Sequence, residues 1–498
     1  MATQAEVPRV RAPQASTPAS ASAEHDRVRD VAVVALPAVV ALALTLIEVT
    51  TRSLWLDEAA TVAIASQHGS AFWHAAAHDG GNMLGYYALL HVLIGWFGDG
   101  AFVIRLPSVI ACGATAGAVA LLGLRLFDRR VALAAGLLTA VSLPLVFWGQ
   151  DARGYAAMVA LVAGSFVALA AVVDGPRRRG PWIAYVVLTT LSVYASYVAI
   201  FAVVAQMVAL VVSRRDAWRR AVSATAVCAM CWIPLAVLAV SRGSGQLFWI
   251  GRPTFKLVRQ IAGALTSAGF EPNFHPAAVA TPLAILTVAA LIYAAVRIVR
   301  RPEWGPVLAL SWLVVPVGLM LVWSFISQPI FTPRNLLVSL PAVSLLLGWG
   351  IMSSRLSPIL AWLAVGGLIA LRVVALAPSY GTSPENWRAA TAYVTNAAQP
   401  GDCIAFYPLD ASMPFDYYAG KPVKPHVEQY ATPTVPAGCS RVWLVASHEG
   451  FPTGGTAASR AHYAMYVAVR QSLARRYAHR STRSFGYASV IWVDLFTR

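Results

Sequence analysis

Charge is scarce in this chain. Of its 498 residues 12% are Asp, Glu, Lys or Arg and 58% are hydrophobic, whereas soluble domains carry about 25% charged residues. A water-soluble fold of this length cannot hide so much apolar surface. That excludes an ordinary soluble enzyme and makes a membrane protein the first expectation. Cysteine is scarce too, and five cysteines do not make a disulfide framework. Cys112, Cys228 and Cys231 fall in apolar runs, where a thiol acts as a small buried hydrophobe. Cys403 and Cys439 fall in the polar C-terminal part and are able to pair if that part is exported. The apolar run from Val31 lacks a clear small-residue cleavage site, so it reads as a retained span rather than a signal peptide. There is no internal repeat of solenoid type.

What is present is a series of long apolar runs separated by arginine clusters. A net charge of +16 would suit nucleic acid. However, the arginines gather in short groups such as Arg177-Arg178-Arg179 and Arg214–Arg220, which anchor cytoplasmic loops against anionic lipid. A helix needs about 20 apolar residues to cross a bilayer. Eleven candidate spans result: 31–49, 101–124, 131–148, 153–173, 181–198, 199–213, 220–240, 278–297, 306–325, 335–354 and 358–377. Arg27 and Arg29 place the N-terminus inside, and the clusters at 124–130, 175–180, 214–220, 297–303 and 353–357 continue the inside loops. The outside then receives 50–100, 149–152, 241–277, 327–334 and everything from about 378. Residues 83–98 are apolar but short, and counting them as a span would turn Arg125–Arg130 outward, so they are expected to form an interfacial or re-entrant helix.

The expected organisation has three parts. Residues 1–30, rich in Ala, Pro, Ser and charge, form a disordered cytoplasmic tail. Residues 31–377 form a polytopic transmembrane unit, with 50–100 as its first extracytoplasmic loop carrying interfacial helices. Residues 378–498 form a small exported α/β domain. Its helices are Pro384–Ala398, with Ser383 as a possible N-cap, and 457–476; its strands are Cys403–Tyr407, Arg441–Ala446 and Ala488–Leu495. The fold class is mainly α, a membrane helix bundle with an α/β appendage. The location is the plasma membrane, multi-pass, with the N-terminus cytoplasmic.

Chemistry-bearing residues cluster at the outer ends of the spans. Asp57 and Glu58 stand together where the first span leaves the membrane, and ionisable groups at membrane depth need a reason. They suit acid–base or metal chemistry; equally, they complement the dipole of an interfacial helix at 58–76. His74 and His78 have the i, i+4 spacing of a metal pair, or are exposed histidines of an amphipathic helix. Asp151 and Arg153 flank another span boundary, as a functional pair or a self-satisfied one. Arg334, at the outer end of the tenth span, suits a phosphate or snorkels to the interface. All of these fall on one side of the expected topology. A secondary transporter or lipid flippase is the alternative, and it predicts midplane ionisable sites and a two-fold repeat that the sequence does not display.

Four motifs in order resemble the GT-C superfamily of membrane glycosyltransferases, which includes protein O-mannosyltransferases and the lipid A aminoarabinose transferase. They are Asp57-Glu58; Asp79 with Tyr86-Tyr87-Ala88-Leu89-Leu90-His91 and Arg105-Leu106-Pro107-Ser108; Gln150–Tyr155; and Pro333-Arg334-Asn335-Leu336-Leu337. Asn82-Met83-Leu84-Gly85 replaces a common Pro-Pro-Leu, and Asn335 a common Tyr, which weakens assignment to a subfamily. The resemblance implies an inverting enzyme that moves sugar from a polyprenyl-phosphate donor to an envelope glycan, glycolipid or protein. Asp57 would be general base, and Arg334, then Arg153, would meet the leaving phosphate. Glu58, Asp79, Tyr86, Tyr87, His91 and Asp151 would bind substrate, with Trp55 as a stacking partner. Some relatives use a divalent metal (Mg, Mn or Ca), for which Glu58, His74, His78 and Asp151 are the candidates. Arginine and alanine dominate over lysine, as in GC-rich bacteria, where the resemblance suggests mannose or arabinofuranose.

Overall fold

In the computed structural model of the protein the described residues are 19–175, 177–243, 250–267, 277–420, 427–431, 438–453, 455–487 and 489–498. They are mostly helical. The first helix, α1 (Ala19–Leu46), is followed by three short ones, α2 (Leu56–Ala65), α3 (Ser70–His78) and α4 (Leu84–Phe97). Then come α5 (Ala101–Leu126), α6 (Arg129–Ala140), α7 (Leu143–Gly149), α8 (Tyr155–Asp174), α9 (Arg179–Ala195) and α10 (Ile200–Ser213). The series continues with α11 (Arg215–Cys231), α12 (Ile233–Arg242), α13 (Phe255–Leu265), α14 (Ala277–Arg300), α15 (Trp304–Ile326), α16 (Leu340–Met352) and α17 (Pro358–Leu376).

Every expected span coincides with a helix, but not all are uniform. Among the described residues seven helices are long and apolar enough to cross a membrane, or nine if two bent pairs each count as one span. The pairs are α6 with α7, bent by 54°, and α11 with α12, bent by 52°. Both bends have Pro in the first turn of the second helix, where its ring and missing N–H end the preceding helix and start the next. The chain is thus a multi-pass membrane protein. Helix α9, of 17 residues, and α10, of 14, are shorter than the expectation of full spans. The outer surface of α14 exposes Ile285, Leu286, Ile292 and Val299, an apolar face that suits lipid rather than water.

The N-terminal expectation needs correction. Residues 1–18 of the expected disordered tail lie outside the described residues, and Ala19–Asp30 are helical, continuing α1. The loop 50–100 carries α2 and α3 in place of one helix over 58–76, with a break at Gly69, whose φ of 56° favours glycine. Residues 83–98 do form a short helix, α4, with Trp96 and Phe97 exposed at its end.

Beyond α17 lies an α/β unit. It comprises α18 (Trp387–Ala397), β1 (Asp402–Tyr407), α19 (Ser412–Ala419), β2 (Val427–Ala431), β3 (Arg441–Ala446), α20 (Ala457–Ala474), β4 (Ala478–Phe485) and β5 (Ile491–Thr497). The strand order is β2-β1-β3-β5-β4; β1 runs parallel to β2 and β3, and β5 antiparallel to β3 and β4. Alternation along β1 divides its side chains between two cores. Ile404 and Phe406 pack with Trp387, Phe415 and Trp443, whereas Cys403, Ala405 and Tyr407 pack with Tyr466 and Val469 of α20. Cys403 and Cys439 form a disulfide. Asn386, not Ser383, caps α18, its side chain accepting from the Ala389 N–H; Ser383 instead accepts from the Ser53 N–H at 2.8 Å. Strands β2 and β4 were not expected, and Ala488, the expected start of the last strand, lies outside the described residues.

Candidate active site

The loop after α1 is organised by buried ion pairs. Glu58 is fully buried and takes both arms of Arg105, at 2.9 Å from Nε and 2.8 Å from Nη2. Its Oε1 also accepts the Ala152 N–H at 2.8 Å. Arg105 in turn donates to the carbonyls of Val49 and Arg52. Asp151 pairs with Arg52 at 2.8 Å, and Arg52 donates to the Phe147 carbonyl at 3.1 Å. Two buried carboxylates are thereby committed to two buried guanidinium groups. They lock the start of α5, the break after α7 and the turn-and-loop stretch 49–55 into one body.

Asp57 is different. It is the second residue of α2, and its side chain remains 32% exposed. Arg334 donates to its Oδ2 from Nη1 at 2.9 Å, and Arg153 Nη2 stands 3.9 Å from the same oxygen. Burial raises the carboxyl's pKa, but the charges of Arg153 and Arg334 outweigh it, with help from His448, and the net value lies below the usual carboxylate range. Asp57 is therefore an anion at neutral pH. Arg153 also donates to Thr61 Oγ1 at 3.0 Å and to the Tyr87 hydroxyl at 3.4 Å. Tyr87 itself donates to Asp79 at 2.7 Å. Asp57, Arg334, Arg153, Tyr87 and Asp79 thus form one continuous polar chain drawn from four separate segments. An aromatic wall stands beside it: Arg334 lies 5.9 Å from the Trp55 ring, Trp55 is 5.6 Å from Trp148, and Trp148 5.1 Å from Tyr155.

Other sequence candidates stand off this chain. The hydroxyl of Tyr86 meets Ser108 Oγ at 2.8 Å, and that serine also donates to the Arg153 carbonyl, so Tyr86 supports Arg153 from behind. His91 bonds the Ala65 carbonyl at 2.8 Å and packs against His68 and Phe72, bracing α4 against α2. The candidate metal set does not assemble. Glu58 and Asp151 are taken by arginines, His74 and His78 are exposed on α3, and no group of three or more His, Cys, Asp or Glu among the described residues is placed to hold an ion. The described residues do not fit the metal that some GT-C relatives use.

Two residues that sequence reasoning missed come from the α/β unit. Glu385 is buried, and its Oε2 accepts from the Leu56 N–H at 2.9 Å, one residue before Asp57, and from Trp387 Nε1 at 2.8 Å. Its Oε1 meets His448 Nε2 at 2.8 Å. Neither lies in a recognisable motif, and only the packing of the tail on α2 brings them here.

Comparison with known proteins bears on the fold. Residues 82–240 match the family Dolichyl-phosphate-mannose-protein mannosyltransferase. No curated protein sequence matches the chain. The structure of ArnT from Cupriavidus metallidurans bound to undecaprenyl phosphate is similar over 92% of this chain and 97% of that one, with 15% identity and a TM-score of 0.59. The chain has the fold of the GT-C superfamily of membrane glycosyltransferases. Oligosaccharyltransferase structures from Archaeoglobus fulgidus share this GT-C fold. One, tethered with an acceptor peptide, matches over 93% of this chain and 73% of that one, at 14% identity and TM-score 0.53. Another, in complex with an inhibitory peptide and a dolichol-phosphate, matches over 93% and 74%, at 12% identity and TM-score 0.52.

Proposed function

We propose that the protein is an inverting glycosyltransferase. It moves a sugar, mannose or arabinofuranose, from a polyprenyl-phosphate donor to an envelope glycan, glycolipid or protein at the outer face of the plasma membrane. The observation that carries this reading is Asp57: a partly exposed carboxylate kept ionised between Arg334 and Arg153, at the rim where the helix bundle meets the α/β unit. An anionic carboxylate is the required state of a general base. The acceptor hydroxyl would lose its proton to Asp57 as its oxygen attacks the anomeric carbon. The bond from that carbon to phosphate oxygen would break, and the phosphate would leave with the electron pair on the opposite side, inverting the centre. As the phosphate gains charge, the two guanidinium groups that flank Asp57 would face it, and charge-assisted bonds to Arg are strong and directional.

The disulfide supports an extracytoplasmic α/β unit, since such bonds persist in oxidising compartments. That orientation also puts Arg125–Arg130 and Arg214–Arg220 on the cytoplasmic side. The relatives whose structures hold undecaprenyl phosphate or dolichol-phosphate support a lipid-phosphate donor. The test is incubation of the purified protein in lipid with radiolabelled polyprenyl-phosphate mannose and, separately, arabinose, with envelope extract as acceptor. Label moved from one donor to acceptor names the sugar; label that stays on both lipids rejects both sugars.

A further inference from the structure

Asp57 is a weak base for a reason visible in its surroundings. The same two arginines that keep it ionised lower its affinity for a proton. A proton taken from an acceptor must then move on, and a group able to receive it, His448 of the α/β unit, is tied through Glu385 to the start of α2.

Strands β1 and β3 run parallel, and the segments that follow their carboxyl ends lie toward α2; such ends are where open α/β sheets bind ligands. The segment after β1, Leu409–Ala411 and then α19, packs on α2. The residue two beyond β3 is His448, held at a φ of 53°, a conformation uncommon for a side-chain-bearing residue. Its ring is 38% exposed, and Nε2 is bonded to buried Glu385 at 2.8 Å. Glu385 also receives the Leu56 N–H, so one carboxylate fixes both the start of α2 and the imidazole. With Nε2–H donating to Glu385, the lone pair is on Nδ1, the tautomer logic by which a carboxylate prepares a histidine as a base.

We propose that His448, oriented by Glu385, is the site's second proton acceptor: it receives at Nδ1 the acceptor-hydroxyl proton that Asp57 passes on, where the segments after β1 and β3 meet α2. This rests on the glycosyltransferase reading. No oxidant or further reactant is needed: the hydroxyl O–H bond breaks, the new glycosidic C–O bond forms, phosphate leaves with its electron pair, and the proton ends on imidazole and then in water. The charged groups that act on His448 are Glu385, Asp57 and Glu449, with His462 beside it. Burial lowers the ring's pKa, the carboxylates outweigh it, and the net value is above the ordinary 6.5, so the neutral ring that accepts a proton at Nδ1 gains population as pH rises through that value.

The test uses the full-length protein in lipid nanodiscs. Carbethoxylation of His448 by diethyl pyrocarbonate, followed by peptide mass spectrometry across pH, reports the ring's ionisation without any need for turnover. The midpoint is expected above 6.5 in wild type and lower in Asp57→Asn; a midpoint unmoved by Asp57→Asn overturns the pairing. In the transfer assay, His448→Gln keeps a donor for Glu385 but accepts no proton, and it is expected to lower kcat about 10- to 100-fold with little change in KM. His448→Ala is expected to regain rate with added imidazole. Full activity with an unchanged pH profile in His448→Gln overturns the relay. A shifted midpoint in a protein that transfers no sugar contradicts the glycosyltransferase reading and the relay with it, yet leaves the Asp57–His448 coupling standing.

Discussion

Neighbouring residues in this chain have opposite fates. Asp57 and Glu58 are adjacent acids, yet one is partly exposed between two arginines and the other is sealed against Arg105. Successive positions of a helix point about 100° apart, so one reaches the partly open side beside Arg334 and the other faces the bundle. Removing one member of a buried pair leaves an uncompensated charge and costs about 3–5 kcal/mol. Glu58→Ala and Arg105→Ala are therefore expected to lower the thermal midpoint sharply and reduce the yield of folded protein in detergent, which a fluorescence-detected melt will show. Titration offers a second test. Asp57 has a depressed pKa, so its contribution to stability is present above its ordinary 3.8 and is lost as pH falls through the folded value. His448 has a raised one, so its contribution is present below 6.5 and is lost as pH rises through the folded value. Tm is expected to decline on the alkaline side of 6.5 in wild type and to lose that component in His448→Gln.

At the scale of elements, the approach of α8 to its neighbours places Arg153. Gly154 caps α8 directly after Arg153, and a Cβ there would stand 2.4 Å from the Ala195 carbonyl oxygen, a backbone atom that cannot swing away. Gly154→Ala is expected to displace Arg153 from Asp57 and to lower transfer at least about tenfold, since small misplacements of positioning groups cost up to about 10²-fold; an unchanged rate would show that Arg153 need not sit where it does. The elements themselves were unequally legible. The apolar runs announced the helices because lipid demands continuous hydropathy. Strand β4, Ala478–Phe485, gave no sign because it is an exposed edge strand rich in Arg and Ser, and its partner β5 supplies the reason it is extended. Among site residues, Asp57, Asp79, Arg153 and Arg334 carry charge at span ends and stood out, whereas Glu385 and His448 lie over 300 residues from Asp57 in a unit with no motif. Arg105 was visible only as the opening of an Arg-Leu-Pro-Ser stretch; its clamp on Glu58 depends on a fold-back that no local pattern encodes.

For the whole molecule, the α/β unit is a structural part of the site rather than a hanging appendage. Leu54 N–H donates to the Tyr418 hydroxyl at 2.7 Å, and Arg388 donates to the carbonyls of Thr50 and Thr51. With Glu385 on Leu56, these bonds fix 50–56, the segment that delivers Asp57. The proposed topology places this unit and the loop Arg214–Arg220 on opposite sides of the membrane. Arg475→Cys, at an exposed position of the α/β unit, is expected to react with an impermeant maleimide added to sealed right-side-out vesicles, while Arg219→Cys reacts only after permeabilisation. Labelling of both from the same side would refute the topology.

The central claim is that Asp57 drives cleavage of a sugar–phosphate bond on a lipid donor. The most direct measurement is release of polyprenyl phosphate from labelled polyprenyl-phosphate sugar by wild type and Asp57→Asn in matched nanodiscs, with acceptor present. The account predicts release by wild type and a loss of about 10²- to 10⁴-fold in the variant, with both proteins folded at the assay temperature and the donor bound by each. Equal release by both proteins would contradict it.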